Sequence, residues 1–493
     1  MDIYLVALQS IFQPLTILLI LLGTLGGVIL GAMPGLNGPI GVALLLPFTF
    51  SLDPASGLLM LGGIYMGASY GGAISGILLN TPGTAEAACT ALEGYPLAKQ
   101  GRAKEALYYA VLSSVIGGLI GVIALILFTP YLASFALKFG SPEMFLIALA
   151  GLAVVGSLTG KSLAKGLFAA CLGILISMVG PDIMSGVDRF TFGFHSLRNG
   201  IPLIPVIIGL FAISEMIIQS NRKKGHITDA PFQDTSVVHV LKSIIKKPML
   251  VLKSSVLGTI IGILPGAGGA IASFIAYGEA KRASKRKDLF GKGNVEGIVA
   301  SESSNNSAVG GSLIPLLALG IPGSATAAII YGAITIHGLI PGPRLFVNNP
   351  DIAYTFMIGM ILTVVIMAII GILGVPIFTK ILKVNLIYII PVVLVFCLFG
   401  AYSLRNSLLD VLIAIIFGAL GVVFRKFSIP TPPIVLGIIL GPLAELNLRQ
   451  SLTFATAKGT SIFEYIFFRP LSIMIFILLL IIIYASVKNI KES

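Results

Sequence analysis

The sequence has 493 residues, of which 56% are hydrophobic and only 11% are charged, whereas soluble domains carry about 25% charged residues. This composition excludes an ordinary soluble globular protein. The formal net charge of +12 would suit a nucleic-acid-binding protein, but half of the basic residues lie in three loops, as the positive-inside rule predicts for a membrane protein. We therefore expect an all-α polytopic protein of the cell (inner) membrane, in contact with the lipid bilayer and without a nucleic-acid partner.

Apolar segments follow one another along the chain. Several approach the length that a helix needs to span a bilayer, and with shorter and broken segments included we expect about 11–14 membrane helices. The clearest apolar segments are residues 11–30, 106–127, 144–158, 167–178, 201–218, 354–379, 386–399, 411–423 and 471–484.

Three clusters of basic residues interrupt these segments, and we expect all three to face the cytoplasm. The longest polar segment, residues 220–248, is the natural cytoplasmic linker between a first transmembrane repeat, residues 1–219, and a second, residues 249–493. The basic residues are Lys99, Arg102 and Lys104 in the first cluster, Arg222, Lys223, Lys224, Lys242, Lys246, Lys247 and Lys253 in the second, and Lys281, Arg282, Lys285, Arg286, Lys287 and Lys292 in the third.

Two motifs occur twice in the chain. A glycine ladder, Gly27-x3-Gly31-x3-Gly35, returns as Gly258-x3-Gly262-x3-Gly266, and a Pro-Gly motif at positions 80–85 returns at positions 320–325. Such ladders allow close helix packing. Two apolar halves broken at corresponding places are also typical of secondary transporters, whose site lies at the repeat interface. The predicted helix-breaking residues are Pro34, Gly35, Pro82 and Gly83 in the first half and Pro265, Gly266, Pro322 and Gly323 in the second.

The second copy of the ladder favours a re-entrant hairpin. If Lys253 and Lys281 both face the cytoplasm, residues 254–280 must enter and leave the membrane on one side. Each arm would then have about 11–13 residues, or roughly 16–20 Å, which is too short for a hydrocarbon core of about 30 Å. The tip, residues 264–269, should be buried in protein. The alternative is an ordinary span with Lys253 reaching back to the interface.

The first half carries the equivalent tip at residues 33–39. If the repeats are inverted, which we favour over parallel repeats, this tip enters from the opposite face and meets the second tip at mid-membrane. Asn37, Gly38, Gly268 and Gly269 are then candidates for contact with a substrate or ion.

The Pro-Gly motifs are each expected to interrupt a helix, because proline lacks a backbone donor and glycine admits unusual backbone conformations. The start of the next helical piece would carry partial positive charge and bind an anion, and unwound carbonyl groups would bind a cation. The alternative is a structural kink or a short loop. The candidate binding residues here are Asn80, Thr81, Thr84 and Ser324.

Residues 301–307 form the most polar run that leads into an apolar segment. Hydroxyl and amide groups at a helix start cap free N–H groups, but seven polar residues exceed what a cap needs. Ser304, Asn305, Asn306 and Ser307 are therefore candidates for binding a carboxylate or Na⁺. Glu302 in this run and Glu86 beside the first Pro-Gly motif are possible coupling carboxylates, although either could lie at an interface instead.

Other functional classes find little support. Cys89, Cys171 and Cys397 are far apart and the histidines are scattered, so we expect no metal site and no cofactor apart from Na⁺ or H⁺ as coupling ion. No catalytic pair or P-loop is present, so we do not expect an enzyme. A channel would need charge rings or a carbonyl filter, which two unequal halves in one chain do not suggest.

Five motifs, in this order, resemble the large permease subunit of tripartite tricarboxylate transporters. The likeness runs from about Gly26 to the C-terminal helices. The motifs are Gly31-Ala-Met-Pro-Gly-Leu-Asn-Gly38, Tyr70-Gly-Gly-Ala-Ile-Ser-Gly-Ile-Leu-Leu-Asn-Thr-Pro-Gly-Thr84, Gly262-Ile-Leu-Pro-Gly-Ala-Gly-Gly269, Glu302-Ser-Ser-Asn-Asn-Ser307 and Gly320-Ile-Pro-Gly-Ser-Ala325.

The resemblance implies a permease that works with a small membrane subunit and an extracytoplasmic solute-binding protein and is driven by an ion gradient. It also implies a small organic anion as substrate, mostly a carboxylate such as citrate. Related members handle different compounds, so a non-carboxylate solute is the alternative. Where many relatives have Ala or Glu around the double Asn, this chain has Ser304 and Ser307, which leaves the substrate open.

Overall fold

The computed structural model describes residues 3–33, 35–158, 162–220, 234–381, 386–403, 405–477 and 480. Pro34, residues 221–233 of the predicted linker and the last residues of the apolar segment 471–484 lie outside this range. The described part is helical almost throughout. It contains one pair of two-residue antiparallel strands, β1 (Gly180–Pro181) and β2 (Asp188–Arg189), in a loop between helices.

The first half of the chain passes through helices of unequal length, two of which continue through π-helical turns at Ala98–Arg102 and Ile208–Ile213, and one short 3-10 helix, His195–Asn199. Its α-helices are α1 (Ile3–Ile11), α2 (Pro14–Ala32), α3 (Gly38–Thr49), α4 (Pro54–Leu79), α5 (Ala87–Leu97), α6 (Ala103–Ala136), α7 (Ser141–Leu158), α8 (Leu163–Ser177), α9 (Leu203–Ile207) and α10 (Ser214–Gln219).

The second half begins with a short helix inside the predicted linker and includes a 3-10 helix at Lys287–Leu289. Its α-helices are α11 (Val237–Ile245), α12 (Pro248–Ile263), α13 (Gly268–Ala283), α14 (Val295–Leu319), α15 (Ala325–Ile336), α16 (Pro343–Asn348), α17 (Pro350–Ile381), α18 (Leu386–Ser403), α19 (Leu408–Lys426), α20 (Pro432–Ala457) and α21 (Ile462–Phe467).

Within the described ranges, five helical segments are long and apolar enough to cross a membrane. Seven further apolar helices have only 10–17 residues. The five spans and the seven shorter apolar helices together fall within the roughly 11–14 membrane helices expected when shorter and broken segments are counted. The five candidate spans are Pro14–Ala32, Pro54–Leu79, Ala87–Ala136, Pro350–Phe378 and Leu408–Lys426.

Helices α4 and α14 form the centre of the molecule. All residues from Ala55 to Leu78 in α4 and from Gly297 to Ala318 in α14 are buried. Helices α2, α3, α5, α6 and α17 pack around α4, and helices α5, α6, α12 and α13 pack around α14. A helix that is buried on every side needs neighbours that approach closely all round, and small residues provide this.

Glycine lets α2 and α4 touch at backbone distance. A Cβ added at Gly27 would overlap the carbonyl oxygen of Ile64, and a Cβ added at Gly31 would overlap that of Ala68. Since residue numbers rise together along the two contacting faces, α2 and α4 run parallel. Helix α3 therefore returns between them.

The second half repeats this contact between α12 and α14. A Cβ at Gly258 would overlap the carbonyl oxygen of Ser304, and a Cβ at Gly262 would lie 2.6 Å from the carbonyl oxygen of Ala308. Residue numbers again rise together, so α12 and α14 run parallel and α13 is the returning helix. The glycine ladders identified in the sequence are thus helix contacts in both halves.

Three side-chain contacts join the basic loops at one end of the molecule, which we name the basic end. They are Lys104 with Asp234 at 2.5 Å, Gln100 with the carbonyl oxygen of Lys292 at 2.9 Å, and Lys247 with Glu296 at 2.6 Å. The hydrogen bond from Lys104 lowers the pKa of Asp234. That the basic end faces the cytoplasm stays a prediction.

We predict that Gly27→Ala lowers the thermal unfolding temperature of the purified protein, since the added methyl group forces α2 away from α4 at a cost of about 1–3 kcal/mol. The matched control is Gly26→Ala on the same helix, where an added Cβ meets no atom within 4 Å. The control should keep or slightly raise the unfolding temperature, because alanine favours helix more than glycine does. Equal loss in both variants would contradict the packing role of Gly27.

Candidate functional site

Both central helices end at a residue in the left-handed conformation. Asn80 closes α4 with φ 53°, and Gly320 closes α14 with φ 72°. The chain then leaves helical geometry before α5 and α15 begin. Four of the predicted helix-breaking residues lie in these two interruptions, namely Pro82, Gly83, Pro322 and Gly323.

Each interruption is held by the same backbone hydrogen bond. The N–H of Gly83 donates to the carbonyl oxygen of Gly72 at 3.3 Å, and the N–H of Gly323 donates to the carbonyl oxygen of Ser312 at 3.2 Å. The two donors, like the two acceptors, are separated by the same offset at which the Pro-Gly motif repeats in the sequence. The chain therefore folds back onto the last two to three turns of the preceding helix in the same way in each half.

A hydroxyl group then starts each following helix. Thr84 Oγ1 accepts from the N–H of Ala87 at 3.3 Å, and Ser324 Oγ accepts from the N–H of Ala327 at 3.1 Å. These are helix N-caps in function, since each satisfies one of the free N–H groups of a first turn. Thr81 acts differently, because its hydroxyl donates back to the carbonyl oxygen of Leu79.

The turns that follow the glycine ladders need glycine for conformational reasons. Gly35 has φ 91°, and Gly266 and Gly268 have φ 77° and 60°, values that side chains with a Cβ rarely adopt. The N–H of Gly266 donates to the carbonyl oxygen of Gly323 at 3.0 Å. The tip after α12 is thus tied directly to the interruption after α14.

The first residues of four helices lie in two contacting pairs at the centre of the molecule. At the start of α3, a Cβ on Gly38 would lie 3.2 Å from Thr326 Oγ1 in the first turn of α15. At the start of α13, a Cβ on Gly269 would lie 2.8 Å from Cγ of Glu86, which precedes α5, and 2.6 Å from Asn305 Oδ1. Gly38 corresponds to Gly269 in the repeat of the ladder, and Glu86 corresponds to Thr326 in the repeat of the Pro-Gly motif. The two meetings are therefore equivalent.

The crossing of α4 and α14 connects the two pairs of helix starts. Tyr65 Oη lies 3.0 Å from Ser312 Oγ and 2.8 Å from Ser324 Oγ, within hydrogen-bond distance of both. Asn305 Nδ2 donates to the carbonyl oxygen of Ser69 at 2.9 Å. As residue numbers rise along α4 they fall along α14, so the two central helices run antiparallel.

The polar run 301–307 lies inside α14 and not at its start. The helix begins at Val295 and is capped by Asn294, whose side chain accepts from the N–H of Glu296. The capping alternative is therefore wrong for this run. All seven side chains are buried, with at most 1% of their surface exposed, so their polarity must be explained by contacts within the protein.

Different members of the run face different helices. The carbonyl oxygen of Ser304 faces Gly258 of α12, and that of Ser307 faces Gly121 of α6. Asn305 faces α4 and α13 through the contacts described above. The backbone of Ser304 and Ser307 thus takes part in helix packing, whereas the side chain of Asn305 lies at the centre. In the described structure the hydroxyl groups of Ser303 and Ser304 and Oδ1 of Asn306 are buried without a hydrogen-bond partner.

Glu302 belongs to a second polar cluster beside α5 and α6. Its carboxylate accepts hydrogen bonds from Thr90 Oγ1 and, at 2.8 Å, from Ser114 Oγ. Thr90 Oγ1 also lies 2.9 Å from Ser301 Oγ. Glu302 is fully buried, and none of the described basic side chains forms an ion pair with it. In the described part of the chain, the hydrogen bonds that this carboxylate accepts come from hydroxyl groups.

The remaining predicted residues form no side-chain hydrogen bond with the other half of the chain among the described residues, although Asn37 stands next to Gly38 at the start of α3. Asn37 caps α3 by accepting from the N–H of Ile40 at 3.3 Å, and Asn80 is exposed. Gly268 has open space where a Cβ would stand. Pro265 lies in the turn between α12 and α13.

Several central residues are absent from the sequence-based set. Tyr65 and Ser69 in α4, Thr90 in α5, Ser114 in α6 and Thr326 in α15 all contact predicted members. The signal that could have found Tyr65 and Ser69 is their polarity in an otherwise apolar and glycine-rich helix. Thr90 and Ser114 had no such signal, because isolated hydroxyl residues are common in membrane helices.

Residues 17–436 match the sequence profile of the tripartite tricarboxylate transporter TctA family, which includes every element of the two clusters. The chain belongs to the TctA family. This TctA-family chain is accordingly a multi-pass membrane protein and a permease subunit of a transporter that has further subunits. The family is one of transporters and not of enzymes.

Two relatives and one solved structure were also found. A protein of Agrobacterium vitis, described as an uncharacterized 52.8 kDa protein in the TAR-I ttuC′ 3′ region, is 35% identical over 450 residues, covering 90% of this chain and 88% of that protein. A second from the same organism, in the TAR-II ttuC′ 3′ region, is 34% identical over 41% of this chain and 84% of its own length. The crystal structure of a mutant manganese transporter of Eremococcus coleocola covers 96% of this chain and 95% of its own, at 15% identity, but its TM-score of 0.13 supports no inference.

We predict that Ser324→Ala lowers the unfolding temperature more than Ser461→Ala does. Both serines cap a helix by accepting from the N–H three residues ahead, Ser461 from Glu464 at 3.1 Å, and loss of such a cap costs about 0.5–2 kcal/mol. Ser324 is buried and also contacts Tyr65, whereas Ser461 is exposed. Equal shifts in thermal unfolding of the two variants would show that Ser324 acts as a cap alone.

Proposed function

We propose that this TctA-family chain imports a tricarboxylate or a related organic carboxylate, driven by an ion gradient. An extracytoplasmic solute-binding protein delivers the substrate, and a small membrane subunit completes the transporter. The protein lies in the cell (inner) membrane with its basic end in the cytoplasm.

One observation carries the proposal: four helices begin at the centre in two equivalent pairs. Helices α3 and α15 start side by side at Gly38 and Thr326, and helices α13 and α5 start side by side at Gly269 and Glu86. The first turn of a helix has free N–H groups and a partial positive charge of about half an elementary charge. Paired helix starts in a buried place are suited to bind the carboxylate groups of a substrate.

Asn305 and Asn306 supply side-chain hydrogen bonds at the same level of the molecule. Asn305 contacts both the second tip and α4, and the buried Oδ1 of Asn306 has no partner among the described residues. Each amide NH2 has a second hydrogen with which to donate to a bound carboxylate, and the free Oδ1 of Asn306 suits a substrate hydroxyl or a cation. Three of the four helix starts are capped by a side chain, namely that of Asn37, Thr84 or Ser324. We propose that these three side chains also line the site.

The contacts favour two inverted repeats with re-entrant hairpins. The α12–α13 tip meets Asn305 near the middle of α14, so the hairpin extends about halfway along the central helix before it turns back towards the basic end. The α2–α3 tip likewise meets Ala68 in the middle of α4. Because α4 and α14 run antiparallel and each is parallel to the first arm of its hairpin, the two hairpins enter from opposite ends.

We propose that Glu302 carries the coupling ion. A buried carboxylate without a basic partner is costly as an isolated charge, and a proton or a Na⁺ ion would remove that cost. Thr90, Ser114 and Ser301 offer hydroxyl oxygens that suit either ion. Helix α5 joins this cluster to the substrate site, since Thr90 lies in its first turns and Glu86 immediately precedes it.

The function is tested by uptake of labelled citrate into proteoliposomes that contain this chain, its small membrane subunit and the binding protein. We expect saturable uptake that depends on an inward Na⁺ or H⁺ gradient. If citrate is not taken up but another carboxylate is, the proposed function stands with that carboxylate as the substrate. Failure of citrate, dicarboxylates and aromatic carboxylates alike, with all subunits present, would contradict a carboxylate substrate.

We predict that Asn305→Ala abolishes uptake without lowering the amount of protein in the membrane, and that Asn306→Ala does the same. The matched control is Asn447→Ala in α20, because Asn447 is also buried and donates to a backbone carbonyl within its own helix. The control should keep normal uptake. Normal uptake by both Asn305→Ala and Asn306→Ala would remove the double asparagine from the site.

We predict that Glu302→Gln loses gradient-driven accumulation but still exchanges substrate across the membrane. Glutamine keeps the shape, and one of the hydroxyl groups of Thr90 and Ser114 can rotate to accept from its amide NH2. It has no negative charge for a proton or a Na⁺ ion to neutralise. Accumulation and counterflow are measured in the same proteoliposomes, with Glu464→Gln as the equal change at an exposed carboxylate. Accumulation at the wild-type level in Glu302→Gln would exclude Glu302 from coupling.

A further inference from the structure

A cavity of about 560 Å³ lies at the basic end, between the first turns of α12, the last turns of α13 and the start of α14. Five basic side chains line it, together with two carboxylates that already have partners: Glu296 pairs with Lys247 at 2.6 Å, and Glu279 pairs with Arg282 at 2.9 Å. Among the described residues, the other four basic side chains of the cavity form no ion pair. They are Lys246, Lys253, Lys285 and Arg286.

A second cavity, of about 510 Å³, continues from the first along the outer face of α12 and α13. The two share Lys253, Leu257 and Glu279. Away from the basic end this outer face is apolar: Leu252, Val256 and Ile260 on α12 and Phe274 and Ile275 on α13 are each 42–55% exposed. In a bilayer, exposed apolar side chains of this kind contact acyl chains.

We propose that this groove binds an anionic phospholipid, with its phosphate group in the basic cavity and an acyl chain along α12 and α13. The four unpaired basic side chains match the charge of a phosphate, and basic pockets between membrane helices bind anionic head groups. A soluble anion would use the basic cavity but would leave the apolar continuation without a role. The lipid would hold the hairpin whose tip meets Asn305, and so stabilise the central site from the basic end.

The test is a thermal-unfolding titration of the detergent-purified protein with phosphatidylglycerol, phosphatidylcholine and soluble glycerol 3-phosphate. We expect saturable stabilisation by phosphatidylglycerol only. In Lys253→Gln/Lys285→Gln the apparent affinity should fall about 30-fold, which corresponds to about 1 kcal/mol for each lysine. The matched control is Lys138→Gln/Lys426→Gln, two exposed lysines outside the groove that form no ion pair in the described structure, and it should bind as the wild type does.

Three results would overturn the lipid assignment. Equal stabilisation by glycerol 3-phosphate would indicate a site for a soluble anion. Equal stabilisation of the Lys253/Lys285 variant by phosphatidylglycerol would place lipid binding elsewhere on the protein. The third result has two parts: the small membrane subunit abolishes phosphatidylglycerol binding, and it cross-links to the position of Ile260. Together they would show that the groove is a protein interface.

Discussion

The structure depends on backbone-to-backbone contact between helices, which only residues as small as glycine permit. Helices α4 and α14 are buried on all sides because α2, α12 and α6 approach them at glycine positions such as Gly27, Gly258 and Gly121. In the second half, the contact of α12 with α14 fixes how far the α12–α13 tip reaches along the central helix. The helix starts therefore meet at the centre because the glycine ladders, one to three turns away, hold the helices in contact.

The two halves repeat geometry but not chemistry. Thr84 and Ser324 cap their helices in the same way, but the residue two positions later is Glu86 in one half and Thr326 in the other. Tyr65 and Asn305 likewise stand at equivalent positions of the two central helices, one with a phenol and one with an amide. The backbone arrangement is symmetric, but the side chains differ. One pair of helix starts therefore has an acidic group, and the other pair is neutral. Such a site can treat two ends of a substrate, or a substrate and an ion, differently.

The sequence predicted features that depend on local conformation better than features that depend on distant contacts. Left-handed residues and hydroxyl caps beside Pro-Gly follow from proline and glycine geometry, which acts within a few residues. Tyr65, Thr90 and Ser114 contact partners in the other half of the chain. No local pattern marks Thr90 and Ser114, and only its polarity within α4 marks Tyr65. The sequence indicates a binding cluster near a helix start for the run 301–307, but Asn294 caps that helix and the run lies inside it, facing α4, α5, α6, α12 and α13.

A comparison of two buried glutamates supports the proposal that Glu302, rather than Glu93, carries the coupling ion. Glu93 accepts from Tyr277 Oη and from the backbone N–H groups of Gly291, Gly293 and Asn294 at 2.5–2.8 Å. Three of these donors are backbone N–H groups, whose direction is fixed, so Glu93 ties α5 to the loop before α14. Among the described residues, the carboxylate of Glu302 accepts hydrogen bonds from hydroxyl groups, which rotate to donate or to accept. Its surroundings can therefore adjust to a charged carboxylate, to a protonated one or to a bound cation, and a carboxylate that exchanges an ion during transport needs all of these.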